Sequence, residues 1–210
     1  MQQSPADTVE TVELLREHGT GSPGALDKLL AQHREYLHRL IDVRMDGQLR
    51  SRIDVSDVIQ EAHLEVVRRI DDYMERRPMP FRLWLRQTAY ETLLRLRRRH
   101  VEAKQRTVER EVPLPERSSV LLAAAAMRGA ATPSEELVEQ ELAQRVRDAM
   151  TQLSDEDREL LLMRNYEELS NQEVAQVLSL EPGTASKRYT RALLRLREVL
   201  IASGLTESQT

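Results

Sequence analysis

Apolar residues fall into two helical stripes in the first half of the chain, and a third helix follows them. Leu26, Leu29, Leu30, His33, Leu37, Leu40 and Ile41 recur at intervals of three and four, which predicts an amphipathic helix behind "GSPG", with Ser22 as its cap and Pro23 in its first turn. Val55, Ile59, Ala62, Val66 and Ile70 form the second stripe and leave Glu61, Glu65 and Arg68 on other faces. The third helix starts after the two prolines of "RRPMPF" and runs through "RLWLRQTAYETLLRLRRRH", because proline breaks the hydrogen-bond ladder and none follows. Ahead of these a shorter helix fits Val9 to His18, with no role legible in its residues.

The pattern then lapses. "REVPLPERSSVLLAAAAMRGAATPSEE" carries three prolines, many small residues and no sustained stripe over its first half, and reads as a connector with room for a short helix. Helix resumes after Thr132-Pro133, and two further starts, "SDED" at Ser154 and "SNQE" at Ser170, have the form of a capping box. "LSNQEVAQVLSLEPGTASKRYTRALLRLREVL" then predicts a short helix from about Asn171 to Leu178, a break at Ser179 to Glu181 and a second helix entered at Pro182, the spacing of a helix-turn-helix. No repeat and no strand pattern appears. The expectation is an all-α chain of two small helical domains: 1–108, a linker at 109–134, 135–205, and a tail at 206–210.

Composition narrows the function. Charged residues make up 31 % of the chain and aromatics 3 %, so the cores must be built from Leu, Val, Ala and Met. With no cysteine, disulfides and thiolate metal sites are excluded, and the composition suits a reducing cytosol. The start has no basic segment followed by an apolar run, and the longest apolar tract, Val120 to Met127, is too short to span a bilayer, which predicts a soluble cytoplasmic protein with no membrane partner. Asp71 adjoins Asp72, and His33 and His38 lie on one helix, but neither pair has a partner with acid-base or metal-ligand logic. No enzymatic activity, cofactor or small-molecule substrate is expected.

The net charge of −4 hides two basic regions: Phe81 to Arg110 holds nine cations against three acids, and Gly183 to Arg197 holds five cations and no acid. On the second helix of the helix-turn-helix, Ala185, Tyr189, Ala192, Leu193, Leu196 and Leu200 make an apolar stripe, while Thr184, Lys187, Arg188, Arg191 and Arg195 fall opposite. Such a helix can dock on its own domain and lay its cations in a major groove, first residues on base edges and later arginines on phosphates. The plainer reading is a solvated basic helix or one laid on an acidic partner, but the capped helix and short break before it favour DNA. Ser179 stands where these turns prefer glycine, and a left-handed serine costs on the order of 1 kcal/mol.

The first domain has a polarity of its own, an acidic helix followed by a basic one bearing the single tryptophan. "DVSDVIQEAHLEVVRRID", "PFRLWLRQTAYETLLRLRRRH" and "LSDEDRELLLMRNYEELSNQEVAQVLSLEPGTASKRYTRALLRLREVL" resemble regions two and four of a bacterial RNA polymerase sigma factor of the extracytoplasmic-function (ECF) type. The resemblance covers about Leu26 to Arg106 and Leu137 to Leu200, and rests on the order and spacing of these segments.

What the resemblance implies is a subunit that binds core RNA polymerase, confers promoter recognition and initiates transcription. The family's "D-x-x-Q-E" element, which meets the coiled coil of the polymerase clamp, is matched by Asp57, Gln60 and Glu61, and Glu65 follows them along the helix. The element that captures the melted single strand is matched by the stretch holding Arg76, Arg77, Arg82, Arg86, Arg95, Arg97, Arg98 and Arg99, with the family's base-holding loop at "RRPMP". Trp84 reads as a core anchor ahead of a stacking platform. Duplex recognition falls to Thr184, Ser186, Lys187, Arg188 and Arg191. Many members of the family are held by an anti-sigma factor, a possible further partner. The rival readings are a stand-alone helix-turn-helix repressor or activator, which would bind duplex DNA tightly by itself, and a helical adaptor with no nucleic acid at all.

Overall fold

The computed structural model describes residues 7–101, 114, 116–127 and 136–204. The described residues form ten helices and no strand, and the chain divides into two compact units, 1–108 and 109–210. The fold is all-α.

The first unit comprises α1 (Val9–Gly19), α2 (Ala25–Asp42), the single turn α3 (Gly47–Arg50), α4 (Val55–Arg76) and α5 (Phe81–Val101). Helices α2, α4 and α5 each pack on the other two, and α1 covers α2. The two expected stripes supply the core: Leu29, Leu37, Leu40 and Ile41 of α2 meet Val58, Ile59, Ala62, Val66 and Ile70 of α4. Helix α5 is buried on more than one side, through Phe81, Leu83, Trp84, Leu85, Ala89, Leu93 and Leu96. From Phe81 to Ala89 no residue is exposed, so this part of the helix lies inside the bundle, and its exposed cations come later. Trp84 is 7 % exposed and stacks with Tyr73 at 4.7 Å and with Phe81 at 5.8 Å between ring centres, so it is a core residue.

The start of α2 differs from expectation. Helix begins at Ala25, and Ser22 and Pro23 precede it in a turn, with Gly24 at φ 78°, ψ 0° and Ala25 N–H donating to Ser22 C=O. Proline followed by a left-handed glycine is the chemistry of a type II turn, which wins over the capping geometry that Ser22 could offer. Helix α4 starts instead on a full capping box: Asp54 accepts from Asp57 N–H, and the Asp57 carboxylate accepts from Asp54 N–H, both at 2.9 Å.

The second unit comprises α6 (Glu116–Ala126), α7 (Glu136–Gln152), α8 (Asp155–Asn165), α9 (Asn171–Val177) and α10 (Pro182–Ala202). Helix α6 lies in the segment read as a connector and packs along α7, with Leu122, Ala123 and Ala126 buried. Residues 110–113, 115 and 128–135 of that segment and the tail at 206–210 lie outside the described residues. Ser170 and Glu173 complete their capping box, whereas Ser154 forms half of one. There the Ser154 hydroxyl donates to Asp157 at 2.9 Å, and the same carboxylate is drawn to Arg195, so it does not return to the Ser154 amide.

Two histidines of the first unit are held neutral by their surroundings. Burial lowers the pKa of His33 from its ordinary 6.5, with Asp7 opposing and Arg82 reinforcing the shift; burial and then Arg34 lower that of His63. A group whose folded pKa is depressed costs stability as pH falls, because the unfolded chain takes up the proton first. The melting temperature of the first unit, followed by Trp84 emission, should therefore hold above about pH 7 and fall below 6.5, the ordinary histidine value. A His33→Gln/His63→Gln variant should show a shallower acid slope; an unchanged slope would show that other groups set it.

Candidate nucleic-acid interface

Helices α9 and α10 are joined by a turn that the sequence describes in detail. Leu178 closes α9, Ser179 follows at φ 52°, Ser179 N–H reaches Gln176 C=O and Leu180 N–H reaches Ala175 C=O. These two bonds are a Schellman motif with serine in the place glycine usually holds. Helix α10 then starts at Pro182, whose missing amide is no loss in a first turn. The Asn171 side-chain amide donates to Pro182 C=O at 2.8 Å, tying the beginnings of the two helices together.

The orientation of α10 about its own axis is fixed by its inner face. Ala185, Ala192, Leu196 and Leu200 are buried, and Tyr189, partly buried, donates its hydroxyl to Asn165 Oδ1 on α8 at 3.0 Å. Asn165 is itself anchored to Leu161 C=O, and the Arg164 guanidinium lies over the Tyr189 ring at 5.2 Å. Thr184, Ser186, Lys187, Arg188 and Arg191 are consequently all exposed on the outer face. Among the described residues none of Lys187, Arg188 and Arg191 joins an ion pair. Arg195, expected with them, is bound to the buried Asp157 at 2.5 Å.

The first unit sorts its charges in the same way. Asp57, Gln60 and Glu61 are exposed along one face of α4, which continues into Leu64, 47 % exposed, and Val67, 54 % exposed. That apolar pair stands apart from the buried stripe of α4, and its one sequence signal is a leucine three residues from a valine on a polar face. Glu65 leaves this face: its side chain is 19 % exposed and accepts from Arg68 and from Arg95 of α5.

Of the arginines expected on the single-strand surface, Arg98 and Arg99 at the end of α5 and Arg77 in the loop before it are exposed and join no ion pair among the described residues. Arg76 faces Asp72 at 3.7 Å with both side chains largely in solvent, a pair worth little there. Arg97 is paired with Asp46, which caps α3, so it fastens the end of α5 to that turn. Arg82 is half-buried with its guanidinium 5.1 Å from the Tyr36 ring centre. Arg86 is 1 % exposed and lies against Tyr90, which takes it off the surface in this structure. The loop between α4 and α5 is itself braced: Tyr73 donates its hydroxyl to Met79 C=O at 3.1 Å, and Arg77 takes a left-handed conformation at φ 39°. Burial raises the Tyr73 hydroxyl to about 12, so it remains a donor at any physiological pH.

A fold of this kind, with a braced helix-turn-helix and a separate acidic-apolar helix face, has clear relatives. The profile of sigma-70 region 2 matches residues 29–102 and that of sigma-70 region 4 matches residues 143–196, together more than half of the chain. An ECF RNA polymerase sigma-E factor of Haemophilus influenzae is 28 % identical over 142 residues, 68 % of this chain and 72 % of that protein. An RNA polymerase sigma-E factor of Streptomyces coelicolor is 36 % identical over 58 residues, 28 % of this chain and 33 % of that one. In fold, the chain is similar to CnrH, solved with the cytosolic domain of CnrY, at a TM-score of 0.57 and 20 % identity over 95 % of this chain and 99 % of that one. It is also similar to the sigma factor RpoE of Bartonella quintana, solved with the anti-sigma factor NepR, at 0.55 and 18 % over 85 % and 98 %. The chain belongs to the sigma-70 family, and within it to the extracytoplasmic-function type.

The serine in the turn yields a simple expectation. Ser179→Gly removes a left-handed strain of about 1 kcal/mol at the expense of a looser unfolded chain, so the second unit should gain a few tenths to about 1 kcal/mol in denaturant unfolding. A loss of stability would mean that the serine side chain contributes more than its backbone costs.

Proposed function

We propose that this sigma factor works through two surfaces of opposite sign: the face of α4 around Asp57, Gln60, Glu61, Leu64 and Val67 binds core RNA polymerase, and the outer face of α10 reads the upstream promoter duplex. The observation that carries this is the selective pairing of the cations. On α10 Arg195, a turn beyond the expected reading positions, is tied to Asp157, while Lys187, Arg188 and Arg191 stand exposed with no ion pair among the described residues. An unpaired cation keeps its charge available for a phosphate or a guanine edge, and one already paired does not. On α4 an apolar pair beside three polar acceptors is the anatomy of a protein contact, a desolvated centre with a charged rim.

Arg77, Arg98 and Arg99 are the cations we assign to the melted strand, with Arg76 beside them; Arg86, Arg97 and Glu65 serve the interior or its immediate edge. The first unit is the polymerase and strand-capture domain and the second the duplex-reading domain. CnrH and the RpoE protein were each solved with a protein partner, and the exposed acidic-apolar face here supports control by an anti-sigma factor as well. Among the described residues no helix is long and apolar enough to cross a membrane, and no group of three or more His, Cys, Asp or Glu is placed to hold a metal ion.

The test is assembly with core polymerase and transcription from genomic fragments. Glu61→Arg should lower the affinity for core tenfold or more, about 1.4 kcal/mol, and it is cleaner than any change at Asp57, whose carboxylate also caps α4. Lys187→Ala/Arg188→Ala should leave core binding intact and abolish promoter choice, a loss of about 1 to 3 kcal/mol for each base contact removed. Arg191→Ala should weaken all duplexes alike and reduce the salt dependence of binding by about one charge. A wild-type protein that ignores core polymerase yet binds a specific duplex tightly would establish the repressor reading in its place.

A further inference from the structure

The start of α5 cannot cap itself. Its N-cap position is Pro80, which has no side-chain acceptor, and the loop before it offers only Arg77, Pro78 and Met79. The first two amides of the helix are nevertheless satisfied. Phe81 N–H donates to one carboxylate oxygen of Asp7 at 2.8 Å and Arg82 N–H to the other at 3.0 Å, so the cap comes from more than seventy residues upstream in the chain.

Asp7 is held in place on its other side. Thr8 follows it and caps α1 through Thr11 N–H at 3.1 Å; Thr11, fully buried, lies 3.3 Å from His33 Nε2 on α2. The His33 ring packs on Phe81 at 5.6 Å, and Leu15 carries α1 into the same core. The acidic side chain also matches the positive end of the helix it caps.

We infer that Asp7 is a positioning residue for strand capture: its carboxylate, delivered by α1, sets the first turn of α5 and with it the placement of the Arg76–Pro80 loop. The inference rests on the proposal that this loop and the arginines around α5 hold the melted strand, and it gives α1 a role that its own sequence does not disclose. The end of the loop that enters α5 is then held twice, by Tyr73 on Met79 C=O and by Asp7 on the amides of Phe81 and Arg82. Loss of the second grip frays the start of α5 beside Tyr73 in the last turn of α4, at the opposite end of that helix from Asp57, Gln60 and Glu61.

The experiment uses the full chain assembled with core polymerase. The probe is a genomic fragment that the wild-type holoenzyme transcribes, offered as duplex and in a pre-melted form with non-complementary strands over the start region. Affinity for the pre-melted form should fall in the order wild type, Asp7→Asn, Asp7→Ala, because asparagine keeps one acceptor oxygen and alanine none, with the alanine variant about five- to tenfold weaker, the scale of one lost N-cap. Core assembly and protection of the upstream duplex should stay at wild-type levels. Pro80→Ser, which supplies a local cap, should restore much of the loss in either background, a recovery that general damage to the fold would not show. If the alanine variant does not fold, the asparagine variant with and without Pro80→Ser decides the matter. Equal capture by all variants, loss spread equally to core assembly and duplex protection, or no recovery with Pro80→Ser would each overturn the role of Asp7. Absence of capture by the wild-type holoenzyme would overturn the strand-capture reading itself.

Discussion

The first unit depends on a small aromatic joint. Tyr73 ends α4, Phe81 and Trp84 begin α5, and the three rings meet within 6 Å of one another with His33 against Phe81. In a chain with 3 % aromatics, nearly half of this class is concentrated at one turn. Paired rings add about 0.5 to 1.5 kcal/mol beyond the area they bury, and here they do so where two prolines prevent the backbone from bonding regularly. The joint thus sets the angle between the acidic helix and the basic one, and the loop between them inherits its shape.

A second constraint is that a chain rich in both signs of charge must keep some cations from its own acids. The structure does so by distance and by saturation. Asp157 is committed to Arg195 and Ser154, Asp46 to Arg97 and the start of α3, and Glu65 to Arg68 and Arg95. Each committed acid takes up an arginine from within the first or second unit, while Arg98, Arg99, Lys187, Arg188 and Arg191 stay exposed. Partial neutralisation of this kind fixes helix ends and leaves a reduced set of charges for the ligand.

Much of this was legible in the residues. The stripes of α2 and α4, the capping box at Ser170 and the break at Ser179 announce themselves because local chemistry and tertiary packing agree there. Helix α5 has almost no one-sided pattern, and its presence was read from the prolines before it and their absence after it. What the sequence concealed was pairing: nothing in the run Arg95 to Arg99 says that Arg97 turns to Asp46 while Arg98 and Arg99 do not, because partners come from other helices. The cap on α5 was hidden for the same reason, as was the type II turn that displaced Ser22, where two mutually exclusive local motifs overlap.

Tyr189 gives the second unit a property that its affinity alone would not reveal. Successive residues on a helix are separated by about 100°, so a roll of α10 through that angle would put each outward side chain in its neighbour's place. The hydroxyl bond to Asn165, with Arg164 over the ring, acts as a key against that roll. For a helix of this kind phase matters as much as charge: cations attract an anion in any rotation, whereas the set of side chains turned outward depends on the rotation that the buried stripe and this bond hold together.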